Sequence, residues 1–223
     1  MVTEALHTRE TTARPDGLCF DPAEAIRHLC ATDPALGRII GRSLPFAVRP
    51  TRTQSLFAAL LESIVYQQLS GRAAETILNR VLALYRPRRF PRPADLLETP
   101  EPRLRAAGLS RNKAAALHDL ARHAIDGTVP SLGRAHAMTD DELIERLTAV
   151  RGVGRWTVEM ILIFRLGRPD VLPVGDLGVR KGFRCAFGMR RLPAPITITR
   201  RAERWRPYRS VASWYLWRAC ELE

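Results

Sequence analysis

The stretch Leu147-Thr-Ala-Val-Arg-Gly152-Val-Gly154-Arg-Trp156-Thr157 determines the fold that we predict for this chain. Two glycines, Gly152 and Gly154, separate segments whose apolar residues recur at helical spacing. Glycine lets the backbone turn sharply and approach another surface closely. The stretch therefore predicts two helices, over residues 140–167, joined by a tight hairpin. The second helix would begin at the turn with unpaired N–H groups, which suit a bound phosphate.

The chain is strongly basic. Its 223 residues include 35 Lys and Arg against 23 Asp and Glu, which gives a formal net charge of +12. Such an excess favours polyanionic partners, either nucleic acid or an anionic membrane surface. Lysine occurs only at Lys113 and Lys181, so a compositional bias toward arginine is the alternative explanation.

Nothing in the sequence predicts a membrane or secreted protein. No apolar run approaches the roughly 20 residues of a membrane span, and residues 1–15 are too polar and charged for a signal peptide. We therefore expect a monomeric cytoplasmic protein of bacterial type that is associated with the nucleoid. The four cysteines are scattered without a C-x-x-C motif, which predicts reduced thiols and no zinc, iron–sulfur or disulfide site: Cys19, Cys30, Cys185 and Cys220.

The fold class that we predict is all-α, because helix starts are frequent and strand patterns are scarce. Asp21-Pro22 and Asp33-Pro34 each offer an N-cap followed by a proline in the first helical turn. Thr139 and Glu142 form a capping box that opens the first helix of the hairpin. Further helices are predicted at 56–68, 70–85, 94–97, 102–106, 110–126, 176–187 and from about residue 207, with a loop over 127–137.

The segment from Val150 to Lys181 resembles the helix–hairpin–helix (HhH-GPD) DNA glycosylases. It is most similar to their DNA-3-methyladenine glycosylase II branch, and matches in the same order occur in three other segments: Ser63–Ser70, Gly108–Ala114 and Arg204–Ser210. The resemblance extends from about Thr53 to the C-terminus. It implies one domain over residues 1–223 with two helical lobes and a cleft between them. Longer members of the family have an N-terminal α/β lobe, and in this chain helices over about 21–45 are expected in place of that lobe.

The resemblance implies that Asp176 is the catalytic residue. Ordinary glycoside hydrolysis uses two carboxyl groups, one of which protonates the leaving group. An alkylated purine already carries positive charge and can depart without a proton, so one carboxylate that stabilises the sugar cation or activates water would suffice. The alternative for Asp176 is a helix N-cap without catalysis.

Trp156 stands where bifunctional relatives have a lysine that attacks the sugar. The resemblance therefore implies hydrolysis that leaves the DNA strand intact. Trp156 is instead expected to form a wall for the flipped base, since an electron-rich aromatic face attracts a cationic base. Four other residues are expected to join this pocket: Tyr208, Met160, Tyr66 and Gln67. For the remaining tryptophans, Trp205, Trp214 and Trp217, core packing is the favoured interpretation.

The partner implied by the resemblance is double-stranded DNA that contains alkylated bases. A base must leave the helix before it can react, and another group must fill its place. Gln68 is expected to fill that gap, with Leu69 as the alternative. The DNA backbone would lie against the hairpin, over Arg151, Gly152, Val153, Gly154 and Arg155. No cofactor is required, but the main-chain carbonyls of Thr148, Val150 and Val153 correspond to positions that hold a monovalent cation in relatives.

Two other functions remain alternatives at this point. A non-catalytic DNA-binding protein could use the hairpin only as a phosphate clamp, although a clamp has no need of Asp176. A nucleotide-hydrolysing repair factor is disfavoured because the sequence lacks a G-x-x-x-x-G-K-[S/T] loop. Gly175 replaces a second acidic residue often found in relatives, and the N-terminal α/β lobe of longer members is missing, so we expect 3-methyladenine and 7-methylguanine as substrates rather than bulkier or neutral lesions. An arginine-rich segment is expected to add to the basic surface: Arg190, Arg191, Arg200, Arg201, Arg204, Arg206 and Arg209.

Overall fold

The computed structural model describes residues 17–51, 53–219 and 221. All regular structure in these residues is helical, which confirms the predicted fold class. The α-helices are α1 Pro22–Thr32, α2 Pro34–Arg42, α3 Leu56–Tyr66, α4 Gly71–Ala83, α5 Pro93–Glu98, α6 Glu101–Ala106, α7 Arg111–Ile125, α8 Leu132–Ala137, α9 Asp140–Thr148, α10 Arg155–Phe164, α11 Leu177–Ala186, α12 Pro195–Ala202 and α13 Arg209–Ala219. A short 3-10 helix, Glu203–Trp205, follows α12.

The chain divides into two compact units. Among the described residues, the first comprises those within 17–50 and 166–221, and the second comprises those within 51–165. In the first unit α11 packs along α13, α1 packs against α2, and α13 contacts both of these N-terminal helices. Its core includes the fully buried side chains of Leu29, Leu36, Trp205 and Leu216. Trp205 therefore has the core role that we predicted.

The second unit is built around α3. Eight of its residues are buried: Leu56, Phe57, Ala58, Ala59, Leu60, Leu61, Ile64 and Val65. A helix that is apolar on nearly every face is expected at the centre of a domain. It packs against α4 and α7, while α5 and α6 cover α7 and the hairpin helices α9 and α10 pack on each other.

Local capping signals predict most helix starts correctly. The side chains of Asp21 and Asp33 accept N–H groups of α1 and α2, and Ser110 caps α7. Thr139 and Glu142 form both bonds of the predicted capping box. Ser70 precedes α4 but makes no side-chain cap bond.

Two parts of the predicted secondary structure are wrong or incomplete. Residues 127–137 do not form a continuous loop, because Ser131 accepts the Arg134 N–H and starts α8. The segment between α11 and α13 contains α12, which begins at Pro195 and was not predicted. Among the described residues, Cys19, Cys30 and Cys185 form no disulfide. Cys220 and residues 1–16 lie outside the described residues.

No helix within the described ranges is long and apolar enough to cross a membrane.

Candidate functional site

The predicted glycine hairpin is present in the second unit. Helix α9 ends at Thr148, and α10 begins at Arg155 after a turn in which the Val153 N–H donates to the Val150 carbonyl at 3.0 Å. Gly152 has φ +77°, a left-handed conformation that glycine adopts without steric cost. Gly154 is the N-cap of α10, and no side chain caps this terminus. The first N–H groups of α10 thus form the kind of site that favours an anion.

Two side chains from elsewhere in the second unit hold the hairpin in place. The Asp119 carboxylate on α7 accepts the Arg151 backbone N–H at 2.8 Å. Burial acts to raise the pKa of Asp119, but this hydrogen bond and the charges of Arg122 and His123 outweigh it and lower the pKa. The Gln67 side-chain amide donates to the Gly152 carbonyl at 2.8 Å. Gln67 was predicted to line the base pocket. In the structure its side-chain amide instead binds the hairpin.

Gln68 lies in a tight turn at the end of α3. The Leu69 N–H donates to the Tyr66 carbonyl at 3.3 Å, and Gln67 has φ −53° and ψ 131°. Gln68 has φ +57°. These angles define a type II turn, whose third residue is usually glycine or asparagine. Three of the four residues in this segment, residues 66–69, are exposed: Tyr66, Gln68 and Leu69. We call it the wedge turn.

Helix α10 carries the two residues predicted for the wall of the base pocket in this unit. Trp156 is 50% exposed although it is a large aromatic residue, while Met160 one turn later is partly buried. Arg155 on the same helix pairs with the buried carboxylate of Glu159 at 3.0 Å. An accessible tryptophan beside the first turn of a helix offers a flat surface on which a base could stack.

Asp176 belongs to the first unit and is the N-cap of α11. Its Oδ1 atom accepts the Val179 N–H at 2.7 Å, as the capping alternative predicts. The same oxygen accepts the indole N–H of Trp217 at 2.8 Å. Two donors on one oxygen fix the orientation of the carboxylate and stabilise its charge. Capping therefore does not compete with a catalytic role, since it holds the group in one position.

The contact between Trp217 and Asp176 depends on small residues in α11. A Cβ atom on Gly182 would overlap the Leu216 carbonyl oxygen, so α11 and α13 approach too closely there for any other residue. A Cβ atom on Gly178 would lie 2.8 Å from Cδ1 of Trp217. Trp217 is partly buried against the core of this unit, as predicted for this tryptophan. Its contact with Asp176, 41 positions away, has no local signal in the sequence.

Tyr208 lies among aromatic residues of the first unit. Its ring centroid is 6.0 Å from that of Phe20 and 5.5 Å from that of His28. The side chain is partly buried against the core. Tyr208 therefore belongs to an aromatic cluster with Phe20 and His28 in this unit.

The arginines of the arginine-rich segment fall into two groups, those that bind carboxylates of the protein and those that are exposed. Arg201 forms a bidentate pair with the buried Asp33, with both N–O distances 2.8 Å. Burial acts to raise the pKa of Asp33, but the bonds from Arg201 and Trp205 outweigh it and lower the pKa. Arg206 and Arg209 both bind Asp170. These three arginines therefore bind carboxylates within the protein, and four others of the segment are exposed: Arg190, Arg191, Arg200 and Arg204.

Comparison with known proteins identifies the family. Residues 61–207, more than half of the chain, match the model of the HhH-GPD superfamily base excision DNA repair proteins. The chain therefore belongs to the HhH-GPD superfamily of base excision DNA repair proteins. This confirms the family and the repair role that the sequence analysis predicted.

Individual relatives in this superfamily are named as 3-methyladenine DNA glycosylases. The chain is 35% identical over 198 residues to DNA-3-methyladenine glycosylase 1 of Schizosaccharomyces pombe, covering 87% of this chain and 86% of the relative. The solved structure of the S. pombe 3-methyladenine DNA glycosylase Mag1 in complex with abasic DNA matches with a TM-score of 0.75 and 34% identity, covering 87% of this chain and 95% of that one. A DNA-3-methyladenine glycosidase from Bacillus halodurans matches with a TM-score of 0.79 and 33% identity, covering 87% and 88%.

Proposed function

We propose that this chain is a monofunctional DNA glycosylase that flips alkylated purines out of double-stranded DNA and excises them by hydrolysis in base excision repair. The observation that carries the proposal is the Asp176 carboxylate, held by the Val179 and Trp217 N–H groups in a chain of this superfamily. Relatives named for 3-methyladenine support alkylated purines as the substrate class. Within this class, the substrates that we propose are 3-methyladenine and 7-methylguanine.

Asp176 would act on the sugar. The bond between C1′ and the purine nitrogen breaks, and its electron pair leaves with the base, whose positive charge is thereby neutralised. The sugar becomes an oxocarbenium-like cation, which an ionised carboxylate stabilises electrostatically. Water then adds to C1′ and loses a proton, which Asp176 or solvent accepts. The products are a free methylated purine and an abasic site.

Trp156 would select the damaged base and preserve the strand. A cation over an indole face gains roughly 0.5–2 kcal/mol, an attraction that an uncharged normal purine lacks. Met160 would extend the apolar surface, and Tyr66 would contribute from the wedge turn. Strand cleavage through a covalent intermediate requires an amine nucleophile, and position 156 holds an indole.

The hairpin would anchor the DNA backbone at the first turn of α10, with Arg151 and Arg155 adding electrostatic attraction. The main-chain oxygens of Thr148, Val150 and Val153 are hard ligands, and the Val150 carbonyl keeps a second lone pair beside its turn bond. They fit a monovalent cation, which would supply positive charge for a phosphate when bound. Gln68 would enter the duplex and hydrogen-bond the base left without its partner.

Two substitutions at Gln68 separate its conformation from its function. Both Gln68→Gly and Gln68→Ala should slow excision from duplex DNA about tenfold, because each removes the side chain that fills the gap. The hydrogen bond lost with that side chain contributes roughly 1–2 kcal/mol. Gly should give the more stable protein by about 1 kcal/mol, since only glycine accepts a left-handed φ without strain. Urea unfolding and single-turnover excision rates measure the two effects. If Ala is as stable as Gly, the turn is not of type II.

Base release from methylated duplex DNA tests the proposed function. The protein is incubated with duplex treated with a methylating agent and, as a control, with untreated duplex, and the released bases are identified by mass spectrometry. We expect 3-methyladenine and 7-methylguanine from the first and no purine from the second. Binding of both duplexes without release of any base would contradict the proposal and favour a non-catalytic phosphate clamp.

A further inference from the structure

The segment Gly108–Ala114 matches the family, but the proposed chemistry does not use it. Gly108 has φ +109° and leads into Ser110, which caps α7 through the Lys113 N–H at 3.3 Å. This cap places Lys113 in the first turn of α7. The Lys113 ammonium donates to the Val65 carbonyl at 2.7 Å and to the Gln67 carbonyl at 2.7 Å. Both acceptors lie at the C-terminal end of α3, where a helix leaves its carbonyls unpaired and favours positive charge.

The Gln67 carbonyl is the central carbonyl of the wedge turn. Type I and type II turns differ in the orientation of that central peptide, and with it in the sign of φ at the third residue. Gln68 by itself favours a negative φ, because a left-handed φ brings Cβ against the backbone. A conformation of this kind persists only where surrounding contacts impose it. The bond from Lys113 holds the central carbonyl in the type II orientation and so supplies that constraint.

The same helix also fixes the hairpin. Three residues after Lys113, the Ala116 methyl lies 3.6 Å from the position that a Cβ atom on Gly152 would take. Three residues further, Asp119 accepts the Arg151 N–H. Gln67 closes the arrangement, since its amide joins the wedge turn directly to the Gly152 carbonyl. One side of α7 thus sets the position of both turns within the second unit.

We propose that Lys113 is a positioning residue that locks the wedge turn in its type II form, in register with the phosphate-binding hairpin, so that Gln68 points into the space vacated by a flipped base. This inference rests on the proposed function. Lys113 touches neither the sugar nor the base. Its effect is geometric, because a DNA backbone anchored at the hairpin places the vacated space at a fixed distance from α10. A turn relaxed to type I would direct Gln68 elsewhere.

Burial lowers the pKa of Lys113. Because Lys113 donates to both carbonyls, the informative variants differ in the N–H groups that they carry at this position. Lys113→Met keeps the chain length and loses the donors. Lys113→Arg keeps the positive charge and the N–H donors but places them on a planar guanidinium group. Arg105→Met removes one positive charge from α6 in the same unit and serves as the control, because Arg105 makes only a 4.0 Å pair with Glu101.

The first measurement does not depend on catalysis. A duplex carrying a stable abasic-site analogue, with 2-aminopurine opposite it, reports insertion of a side chain through a change in fluorescence. We expect wild type and Arg105→Met to give the change. Lys113→Met should bind the duplex within about twofold of wild type, since it contributes no phosphate contact, and give little change. A full fluorescence change with Lys113→Met would overturn the inference even if the protein excised no base.

The second measurement compares excision of 7-methylguanine from duplex and from single-stranded DNA under single-turnover conditions. Lys113→Met should be about tenfold slower than wild type on duplex, the effect of one charge-assisted hydrogen bond, and within twofold on single-stranded DNA, where no gap is filled. Lys113→Arg should recover most of the duplex rate. Equal losses on both substrates would mean a general structural role and overturn the inference. Failure of wild type to excise from either would contradict the proposed function alone.

Discussion

Replacement of Asp176 by asparagine should lower the single-turnover rate of base excision by about 10³-fold, the upper range for removing one preorganised electrostatic contact from a transition state. The amide has nearly the same shape as the carboxylate and keeps an oxygen at the Oδ1 position. The Val179 and Trp217 N–H groups can therefore still donate to it. Asparagine is also as good an N-cap as aspartate. The fold should be retained while the negative charge beside the sugar is lost.

Asp21→Asn provides the matched control. Asp21 also lies in the first unit and also caps a helix, since it accepts the Ala23 N–H at 2.9 Å. Both variants should unfold in urea within about 0.5 kcal/mol of wild type, because each keeps the shape and the capping oxygen of the side chain that it replaces. Both should bind duplex DNA at least as tightly as wild type, because each loses a negative charge. Only Asp176→Asn should lose excision; equal rates for the two variants would leave Asp176 with the capping role alone.

Gly182→Ala should have the largest effect on stability. The added methyl group would overlap the Leu216 carbonyl oxygen, which is backbone and cannot rotate away. Helices α11 and α13 must separate to accommodate it, and overpacking of this kind costs about 3 kcal/mol or more. Trp217 follows Leu216 in α13, so the separation should also weaken its bond to Asp176. We expect a large decrease in the free energy of unfolding and lower excision in the protein that remains folded.

The control for this prediction is Gly41→Ala. Gly41 is in α2 of the same unit, and no atom lies within 4 Å of the Cβ position. Alanine there should stabilise the protein by about 0.5–1 kcal/mol through helix propensity. Chemical denaturation monitored by tryptophan fluorescence measures both variants. If Gly182→Ala unfolds at the same denaturant concentration as wild type, α11 and α13 are not in backbone contact.

The helix starts that could be predicted from the sequence are those that local interactions determine. Asp21, Asp33, Ser110 and Thr139 each bond to an N–H two or three residues away, so their helices could be predicted from adjacent residues. Helix α8 was missed because Gly133 and Pro130 favour a loop, although Ser131 supplied a capping signal. The glycine hairpin was predicted because the turn and the two helix ends that it joins lie within the short stretch Leu147–Thr157.

The parts that could not be predicted involve residues far apart in the chain. Trp217 reaches Asp176 across 41 positions, Lys113 reaches Val65 across 48, and Gln67 reaches Gly152 across 85. Each of these bonds depends on how whole helices pack. The family resemblance supplied candidate residues at both ends of some of these contacts. It did not supply the contacts, which show how each candidate group is held.

The state of the DNA strand after the reaction distinguishes hydrolysis from strand cleavage. An end-labelled duplex with a single 7-methylguanine is incubated with the wild-type protein, and half of the sample is then treated with alkali. Hydrolysis with Asp176 and without an amine at position 156 predicts a full-length strand before alkali and a break at the lesion after it. A break before alkali, or no alkali-sensitive site at all, would contradict the account.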